Sequence, residues 1–150
     1  MKIEIHSLQD TQAFAKAIAN LCKGKTLTIT LDGDLGAGKT TWTQSFGKAL
    51  GVKRVINSPT FTILKSYKQE DGKPLHHIDA YRLEGASQDL GFEDCFDDGI
   101  TVIEWSNFIE DQLPEDHLQI SIEEGMDEER SITLDGTGVV SKKIVEEYHD

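Results

Sequence analysis

Residues 33–40 restrict the fold of this chain more than any other part of its sequence. They fit the pattern G-x-x-x-x-G-K-[ST] in full. The preceding stretch, Thr26 to Leu31, is β-branched and apolar, as a buried strand is, and Thr40 to Leu50 has the composition of a helix that Gly51 ends. A strand, a glycine-rich loop and a helix in this order predict a phosphate-binding loop within an α/β fold.

The residue types of this loop suit a triphosphate. Glycines let the backbone pass close to phosphate groups, the helix N-terminus adds partial positive charge, and a lysine neutralises the β and γ oxygens. The Thr40 hydroxyl is the expected Mg²⁺ ligand. Thr41 is a candidate α-phosphate contact, although it also suits an ordinary helix residue. We therefore predict that ATP and Mg²⁺ bind through Gly33, Leu35, Gly36, Ala37, Gly38, Lys39, Thr40 and Thr41.

Two acids are candidates for the magnesium-linked carboxylate that such sites place at the end of a neighbouring core strand. Glu104 follows the apolar run Ile100 to Ile103; the alternative is a strand-terminal acid in solvent. Asp79 lies where period-two alternation puts His77, Asp79 and Tyr81 on one face of a strand. Asp79 is a candidate for orienting the attacking water or for holding Mg²⁺ through water, and a surface aspartate is the alternative. The histidines lack further ligands at metal spacing.

The remaining segments predict one continuous domain over residues 1–150. A Glu70-Asp71-Gly72 turn joins two of the predicted strands into an inserted β-hairpin. Parallel strands joined by crossover connections, together with this antiparallel hairpin, predict a three-layer α/β fold of the P-loop type with a mixed, mostly parallel sheet. One further helix is predicted to start at Asp10 or Thr11 and to end at Gly24. Other predicted helices span residues 87–96, 106–112 and 139–147. Further predicted strands span residues 2–6, 61–67, 75–82, 100–103, 118–122 and 131–134.

The composition excludes several classes of protein. With 37% hydrophobic and 28% charged residues, the chain resembles neither a disordered acidic tail nor a membrane protein. No stretch approaches the roughly 20 apolar residues that span a bilayer, and Met1 leads into polar alternation without a signal-peptide pattern, so a cytoplasmic location is expected. Cys22 and Cys95 lack the spacing of a zinc or redox motif and are expected to be reduced and buried.

The charge balance bears on the possible partners. The chain has 15 basic and 27 acidic residues, a net charge of −12, which opposes autonomous binding to nucleic acid. Six bases and two acids lie between Lys48 and Lys73, whereas 14 acids and three bases follow from Glu104 onward. This segregation indicates either two solvated faces of opposite sign or a polarised surface that orients a partner.

In four segments the sequence resembles a family of small P-loop ATPases in bacterial tRNA threonylcarbamoyladenosine biosynthesis, called TsaE or YjeE. The resemblance covers nearly the whole chain. The loop is shared by many folds, but the four segments in the family's order are specific: residues 33–40, Ser58-Pro59-Thr60-Phe61, His77-Ile78-Asp79-Ala80-Tyr81-Arg82-Leu83 and Ile103-Glu104-Trp105.

This resemblance implies a Mg²⁺-dependent ATPase that joins two partners, the TsaB and TsaD proteins, in forming the modified adenosine next to the tRNA anticodon. The carbamoyl transfer then belongs to a partner, and ATP hydrolysis resets the complex between turnovers. The negative charge of the chain predicts that tRNA is contacted mainly through this complex or by the Lys48 to Lys73 segment.

The resemblance also implies roles for individual residues. Thr40 and Glu104 would be magnesium ligands, and Thr60 would be a switch threonine that senses the γ-phosphate. Thr11 and Arg130 would lie near the nucleotide, and Trp105 would pack close to the site. From the residues alone, Thr11 equally suits a helix cap, Arg130 a lone base among acids, and Trp105 a core aromatic.

Three other functions share the phosphate-binding loop. A small-molecule or nucleotide kinase commonly clamps phosphates with several guanidinium groups, whereas this chain has only Arg54, Arg82 and Arg130. A GTPase switch is disfavoured because no N-K-x-D guanine-reading motif occurs. A nucleotide-gated adaptor, whose product is an assembled complex, overlaps the favoured function. A slow ATPase when isolated is expected, because a partner is needed to order the switch.

Overall fold

The computed structural model describes residues 1–33, 38–57, 64–80 and 93–148. Their strands and helices agree with the predicted ones to within a few residues, and of the predicted helix 87–96 only the last four residues are described. The strands are β1 (Lys2–Ile5), β2 (Leu27–Gly33), β3 (Leu64–Lys68), β4 (Pro74–Asp79), β5 (Ile100–Glu104), β6 (His117–Glu124) and β7 (Arg130–Gly136). The helices are α1 (Leu8–Cys22), α2 (Lys39–Ala49), α3 (Glu93–Phe96), a 3-10 helix (Ser106–Gln112) and α4 (Val139–Glu147).

All seven strands belong to one mixed sheet in the order β1-β7-β6-β2-β5-β4-β3. The mixed character was predicted, but the expectation of a mostly parallel sheet is wrong. Three strand pairs are parallel, β2–β5, β2–β6 and β4–β5, and three are antiparallel, β1–β7, β6–β7 and β3–β4. The connections between β3 and β4 and between β6 and β7 are too short for a parallel crossover, so these strands must pair antiparallel.

The predicted β-hairpin is β3 and β4, and it is part of the central sheet rather than a separate insertion. β4 pairs in parallel with β5, and β3 forms the sheet edge. Leu75 and Ile78 point to opposite faces of β4 and are both fully buried. Because both faces of β4 are apolar at these positions, the strand is stabilised by packing inside the sheet.

The three long helices pack on one face of the sheet. Helix α1 contacts both α2 and α4. Phe14 of α1 links them, since its ring centroid lies 6.4 Å from that of Trp42 and 5.4 Å from that of Tyr148. Every second residue of β2 joins this core: Leu27, Ile29 and Leu31. The main hydrophobic core therefore lies between this sheet face and α1, α2 and α4.

The opposite face differs from the predicted third layer. Within the described residues it is covered by the short α3 and the 3-10 helix, next to a small apolar cluster of Ile78, Ala80, Ile103 and Ile109. On this face the residues of β6 and β7 are polar and at least partly exposed to solvent, for example Gln119 and Thr133. An antiparallel sheet tolerates such a solvated face, which explains why a full helical layer is not required there.

The start of α1 differs by a few residues from the prediction. Ser7, not Asp10 or Thr11, is the N-cap, because its hydroxyl accepts a hydrogen bond from the Asp10 N–H at 3.2 Å. The helix ends before Gly24, as predicted, and Gly24 has a φ of +78°, a backbone conformation that favours glycine.

Both cysteines are buried and free of disulfides, as predicted. Burial raises the pKa of the Cys22 thiol to about 12, despite the opposing effect of Lys25, so this thiol is neutral at physiological pH. In the part of the chain that the structure describes, no helix has the length and apolarity needed to span a bilayer.

Asp116 stabilises the start of α4, and this stabilisation is expected to depend on pH. Partial burial raises the pKa of its carboxyl, but hydrogen bonds from the Ser141 hydroxyl and from the Val140 and Ser141 N–H groups, helped by nearby His117, outweigh this and lower the pKa below its ordinary value. The carboxylate therefore stabilises the fold above the unfolded pKa of about 3.9. This stabilisation is lost as the pH falls through the lower pKa of the folded state.

We expect Asp116→Ala to lower the free energy of unfolding by about 1 kcal/mol at pH 7, as loss of a helix cap does. The difference from the unmodified chain should shrink below about pH 4, where the carboxylate of the unfolded chain becomes protonated while that of the folded chain is still charged. Urea unfolding of both proteins from pH 7 to pH 3 measures it, with the neighbouring exposed Glu115→Ala as control. A difference that stays constant over this pH range would contradict the assignment.

Candidate nucleotide site

Strand direction brings most of the predicted site residues to one edge of the sheet. Strands β2, β4, β5 and β6 run parallel, so their carboxyl ends, including Gly33, Asp79 and Glu104, meet there. Strand β7 runs the other way and starts at Arg130 on the same edge. Helices α1 and α2 follow β1 and β2 and begin at this edge. Ligands of open α/β sheets bind at such carboxyl ends.

Helix α2 begins at this edge with a feature suited to an anion. Its N-cap is Gly38, which has a φ of +100° and makes no side-chain capping hydrogen bond. Within the described residues, no side chain therefore competes for the first N–H groups of α2, which carry the positive end of the helix dipole. The Nε of Arg130 would lie 3.9 Å from a Cβ at Gly38, so this guanidinium is close to the helix start.

Lys39 is the first residue of α2, and its side chain is 6% exposed. Its ammonium lies 4.1 Å from the centroid of the Trp105 ring and 4.0 Å from Oε1 of Glu104. None of the described residues accepts a hydrogen bond from Nζ. A buried ammonium without hydrogen bonds is costly, so this arrangement favours binding of an oxygen-rich anion.

Glu104 ends the buried strand β5 and is 4% exposed. Both of its carboxylate oxygens are near cationic or donor groups. Oε1 is 4.0 Å from the Lys39 ammonium, and Oε2 is 2.6 Å from Nε2 of His77. A core strand thus carries a buried carboxylate next to Lys39, the position expected of a magnesium-linked acid, and its role as a metal ligand stays a prediction.

The turn after Glu104 is stabilised by hydrogen bonds to Asp32. Trp105 has a φ of +58°, which is unusual for a bulky residue. Asp32, next to the end of β2, accepts hydrogen bonds from the N–H of Ser106 at 3.0 Å and from its hydroxyl at 2.8 Å. These bonds stabilise the turn that places the Trp105 ring against the Lys39 ammonium.

Asp79 lies beside Glu104. The two residues are in register at the ends of β4 and β5, on the sheet face that packs against α2. His77 and Asp79 share this face, as the predicted alternation requires. The third residue of that predicted set, Tyr81, falls outside the described residues.

Three threonines of the predicted site lie in the first turns of helices. Thr40 is exposed and Thr41 half-buried in the first turn of α2. Thr11 is buried in the first turns of α1, where its N–H donates to the Ser7 carbonyl. Arg130 donates hydrogen bonds to the backbone carbonyls of Asp127 and Glu129. Their contacts with a nucleotide stay predictions.

Several predicted residues lie outside the described part of the chain: Leu35, Gly36 and Ala37 of the loop, and the switch residue Thr60. The predicted roles of these residues therefore stay predictions as well.

The sequence patterns do not predict the roles of two residues in this arrangement. His77 lacks further ligands at metal spacing, and Asp32 belongs to none of the motifs. The alternation of β4 already placed His77 on the face of Asp79, but its contact with Glu104 depends on the register between β4 and β5. Asp32 lies next to the phosphate-binding loop, yet its partner is 74 positions further along the chain.

The described residues fit ATP and Mg²⁺. Among these residues the ammonium of Lys39 has no hydrogen-bond acceptor and lies 4.0 Å from the Glu104 carboxylate, and the next residue, Thr40, is exposed. In ranges 1–33, 38–57, 64–80 and 93–148, no three His, Cys, Asp or Glu side chains form a metal-binding group. Mg²⁺ in phosphoryl-transfer sites is commonly bound by one or two protein oxygens, waters and the substrate phosphates.

Comparison with known proteins agrees with this geometry. The sequence profile of the family described as "Threonylcarbamoyl adenosine biosynthesis protein TsaE" matches residues 5–132. The chain belongs to the TsaE family. The match includes every site residue named above, from Thr11 to Arg130.

Individual relatives of this TsaE-family chain cover nearly its whole length. The tRNA threonylcarbamoyladenosine biosynthesis protein TsaE of Bacillus subtilis strain 168 is 46% identical over 146 residues, covering 95% of this chain and 90% of that protein. The protein of the same name from Haemophilus influenzae is 33% identical over 148 residues, covering 97% and 92%.

A solved structure of the TsaE type of fold supports the architecture. The crystal structure of Bacillus subtilis YdiB superimposes on this TsaE-family chain with a TM-score of 0.81 and 39% sequence identity, covering 98% of this chain and 92% of YdiB. Such a score over nearly the full length shows that the mixed α/β fold is shared.

Proposed function

We propose that this chain is a Mg²⁺-dependent ATPase that acts in tRNA threonylcarbamoyladenosine biosynthesis together with proteins of the TsaB and TsaD families. Membership of the TsaE family gives the chain its part in this modification. In this proposal a partner performs the carbamoyl transfer, and ATP hydrolysis by this chain resets the complex between turnovers. The net charge of −12 favours contact with tRNA through the complex.

One observation carries the nucleotide part of the proposal: the buried Lys39 ammonium at the start of α2 has no hydrogen-bond acceptor among the described residues and lies 4.0 Å from the Glu104 carboxylate. The β and γ oxygens of ATP supply the missing acceptors. The N–H groups at the start of α2, which no side chain of the described residues caps, add further donors. Arg130, next to Gly38, adds positive charge close to the nucleotide.

Thr40 and Glu104 would hold the metal, the former through its hydroxyl and the latter directly or through water. Bound Mg²⁺ neutralises charge on the β and γ oxygens of ATP. Thr41 would contact the α-phosphate, Thr11 would lie near the nucleotide, and Thr60 would sense the γ-phosphate. These four threonine roles rest on the sequence and on the family resemblance.

Asp79 is the proposed orienting group for hydrolysis. Its position beside Glu104, at the end of the neighbouring strand, suits a carboxylate that accepts a hydrogen bond from water. The water oxygen bonds to the γ phosphorus, the bond from that phosphorus to the β–γ bridging oxygen breaks, and ADP leaves. One proton of the water stays on the released phosphate, and the other passes to solvent. Such positioning of water contributes about 10²-fold or more to the rate of related reactions.

We therefore expect Asp79→Ala to keep ATP affinity within about threefold and to lose at least about 10-fold in turnover, because Asp79 acts on the water rather than on the nucleotide. Fluorescence titration with a labelled ATP analogue measures affinity, and phosphate release measures turnover. Asp97→Ala, at an exposed aspartate, is the control. Unchanged turnover in Asp79→Ala would remove this residue from the mechanism.

The proposed function is tested with the chain alone and with purified TsaB and TsaD family proteins. We expect slow phosphate release alone, faster release with the partners, and formation of threonylcarbamoyladenosine on tRNA only when all components are present. Fast turnover alone, with phosphate transferred to a small acceptor, would show a kinase instead. Absence of any effect on the partners' reaction would contradict the role in the complex.

A further inference from the structure

We propose that His77 is a positioning residue for Glu104: it holds one carboxylate oxygen so that the other is available to the metal. This inference rests on the proposed function, because it assumes that Glu104 serves a nucleotide-bound Mg²⁺. Its structural basis is the 2.6 Å contact between Nε2 of His77 and Oε2 of Glu104.

Burial and strand register constrain the contact between His77 and Glu104. His77 is 1% exposed and Glu104 is 4% exposed, so water competes little for the hydrogen bond. A carboxylate can only accept, which makes Nε2 the donor and fixes the ring orientation. Register pairs His77 with Val102, two residues before Glu104 on the neighbouring strand. Two strands of the sheet core therefore set the position of the donor relative to the acceptor.

The second carboxylate oxygen has a weaker partner. Oε1 lies 4.0 Å from the Lys39 ammonium, which is too far for a hydrogen bond. When Lys39 binds phosphate oxygens, Oε1 becomes free to serve the metal, while Oε2 stays bound to His77. Without the histidine, the carboxylate can rotate and keep both oxygens near the lysine. Partners that orient metal ligands in this way change metal affinity or activity by about 10- to 100-fold.

The inference is tested by the Mg²⁺ dependence of ATP-analogue binding, measured as dissociation constants in EDTA and over a Mg²⁺ titration. In His77→Leu, which removes the donor but keeps most of the volume, the Mg²⁺ concentration for half-maximal tight binding should rise by about 10-fold or more. The dissociation constant in EDTA should stay within about threefold, because His77 does not reach the phosphates in this arrangement.

Two amide variants separate positioning from general packing. The side-chain nitrogen of glutamine matches the place of Nε2, whereas that of asparagine matches Nδ1, which has no hydrogen-bond partner among the described residues. We therefore expect His77→Gln to restore the Mg²⁺ dependence to within about threefold and His77→Asn to resemble His77→Leu. Equal behaviour of the two amide variants would overturn the proposal, even if His77→Leu proved too unstable to measure.

His76 provides the matched control. It is the neighbouring buried histidine, but it points to the opposite sheet face, where it contacts Ser66 at 2.7 Å and Asp98 at 2.9 Å. His76→Leu should leave the Mg²⁺ dependence unchanged. A wild-type chain whose nucleotide binding does not respond to Mg²⁺ would contradict the proposed function itself. A responsive wild type with an equally responsive His77→Leu would contradict only the role of His77.

Discussion

Replacement of Lys39 by alanine is expected to weaken ATP binding by at least about 100-fold, the size of effect seen when one partner of a buried charge pair is removed. The ammonium is 6% exposed and lacks a hydrogen-bond acceptor among the described residues, so little of its interaction with phosphate is replaced by water. The variant also leaves Glu104 without its neighbouring cation, which adds repulsion between this carboxylate and the triphosphate.

Isothermal titration with ATP and Mg²⁺ measures this loss. Lys48→Ala is the control, since Lys48 lies on the same helix but is exposed in its last turn. Its affinity should match that of the unmodified chain. Circular dichroism melting of both variants checks that the fold is kept. An affinity of Lys39→Ala within about threefold of the unmodified chain would show that residues 33–40 do not bind a triphosphate as proposed.

Replacement of Glu104 by glutamine is expected to lower Mg²⁺-dependent turnover by about 10²- to 10³-fold. Glutamine keeps the shape of the side chain, and its carbonyl oxygen still accepts the hydrogen bond from His77. The negative charge that attracts Mg²⁺ is lost. ATP affinity in EDTA should stay the same or rise, because the uncharged side chain no longer repels the triphosphate.

Phosphate release at saturating ATP and varied Mg²⁺ measures this effect, and binding in EDTA measures the affinity. Glu110→Gln is the matched control, because Glu110 is exposed on the 3-10 helix that follows the same strand. If Glu104→Gln retains turnover within about threefold of the unmodified chain, the magnesium-linked acid must be another residue, with Asp79 the next candidate. A double variant that combines Glu104→Gln with Asp79→Ala would then show whether the two carboxylates act on the same step.

Lys39→Ala and Glu104→Gln each remove one charge of the same buried ion pair. Within the described residues, Lys39 forms an ion pair with Glu104 at 4.0 Å, and both groups are buried. Breaking a buried pair usually costs more than the pair itself contributes, because the remaining charge is left desolvated. In the proposed function, the phosphates of ATP become the new partner of Lys39 and Mg²⁺ that of Glu104. Such an exchange of partners would let a buried lysine and a buried glutamate coexist in the free chain and still serve a ligand.

The local features of this chain were predictable from its sequence. The strand before and the helix after the predicted loop, the end of β5 at Glu104 and the shared face of His77 and Asp79 follow from patterns a few residues long. Such patterns are set by backbone propensity, side-chain alternation and glycine conformations, which neighbours in sequence determine. The family resemblance added the pathway, which no physical pattern in the chain encodes.

The tertiary structure decided which of these features meet. Strand pairing joined β4 to β5, placed Asp79 beside Glu104 and gave His77 its carboxylate partner 27 positions away. The same pairing made the hairpin part of the sheet and balanced parallel with antiparallel pairs. Pairing and register depend on contacts between distant segments and on how their side chains pack, so alternation along one strand cannot specify its neighbour. The sequence by itself therefore determined the strand and helix that flank the predicted phosphate-binding loop and the candidate acids, whereas the fold determined that Glu104 lies 4.0 Å from Lys39 and 2.6 Å from His77.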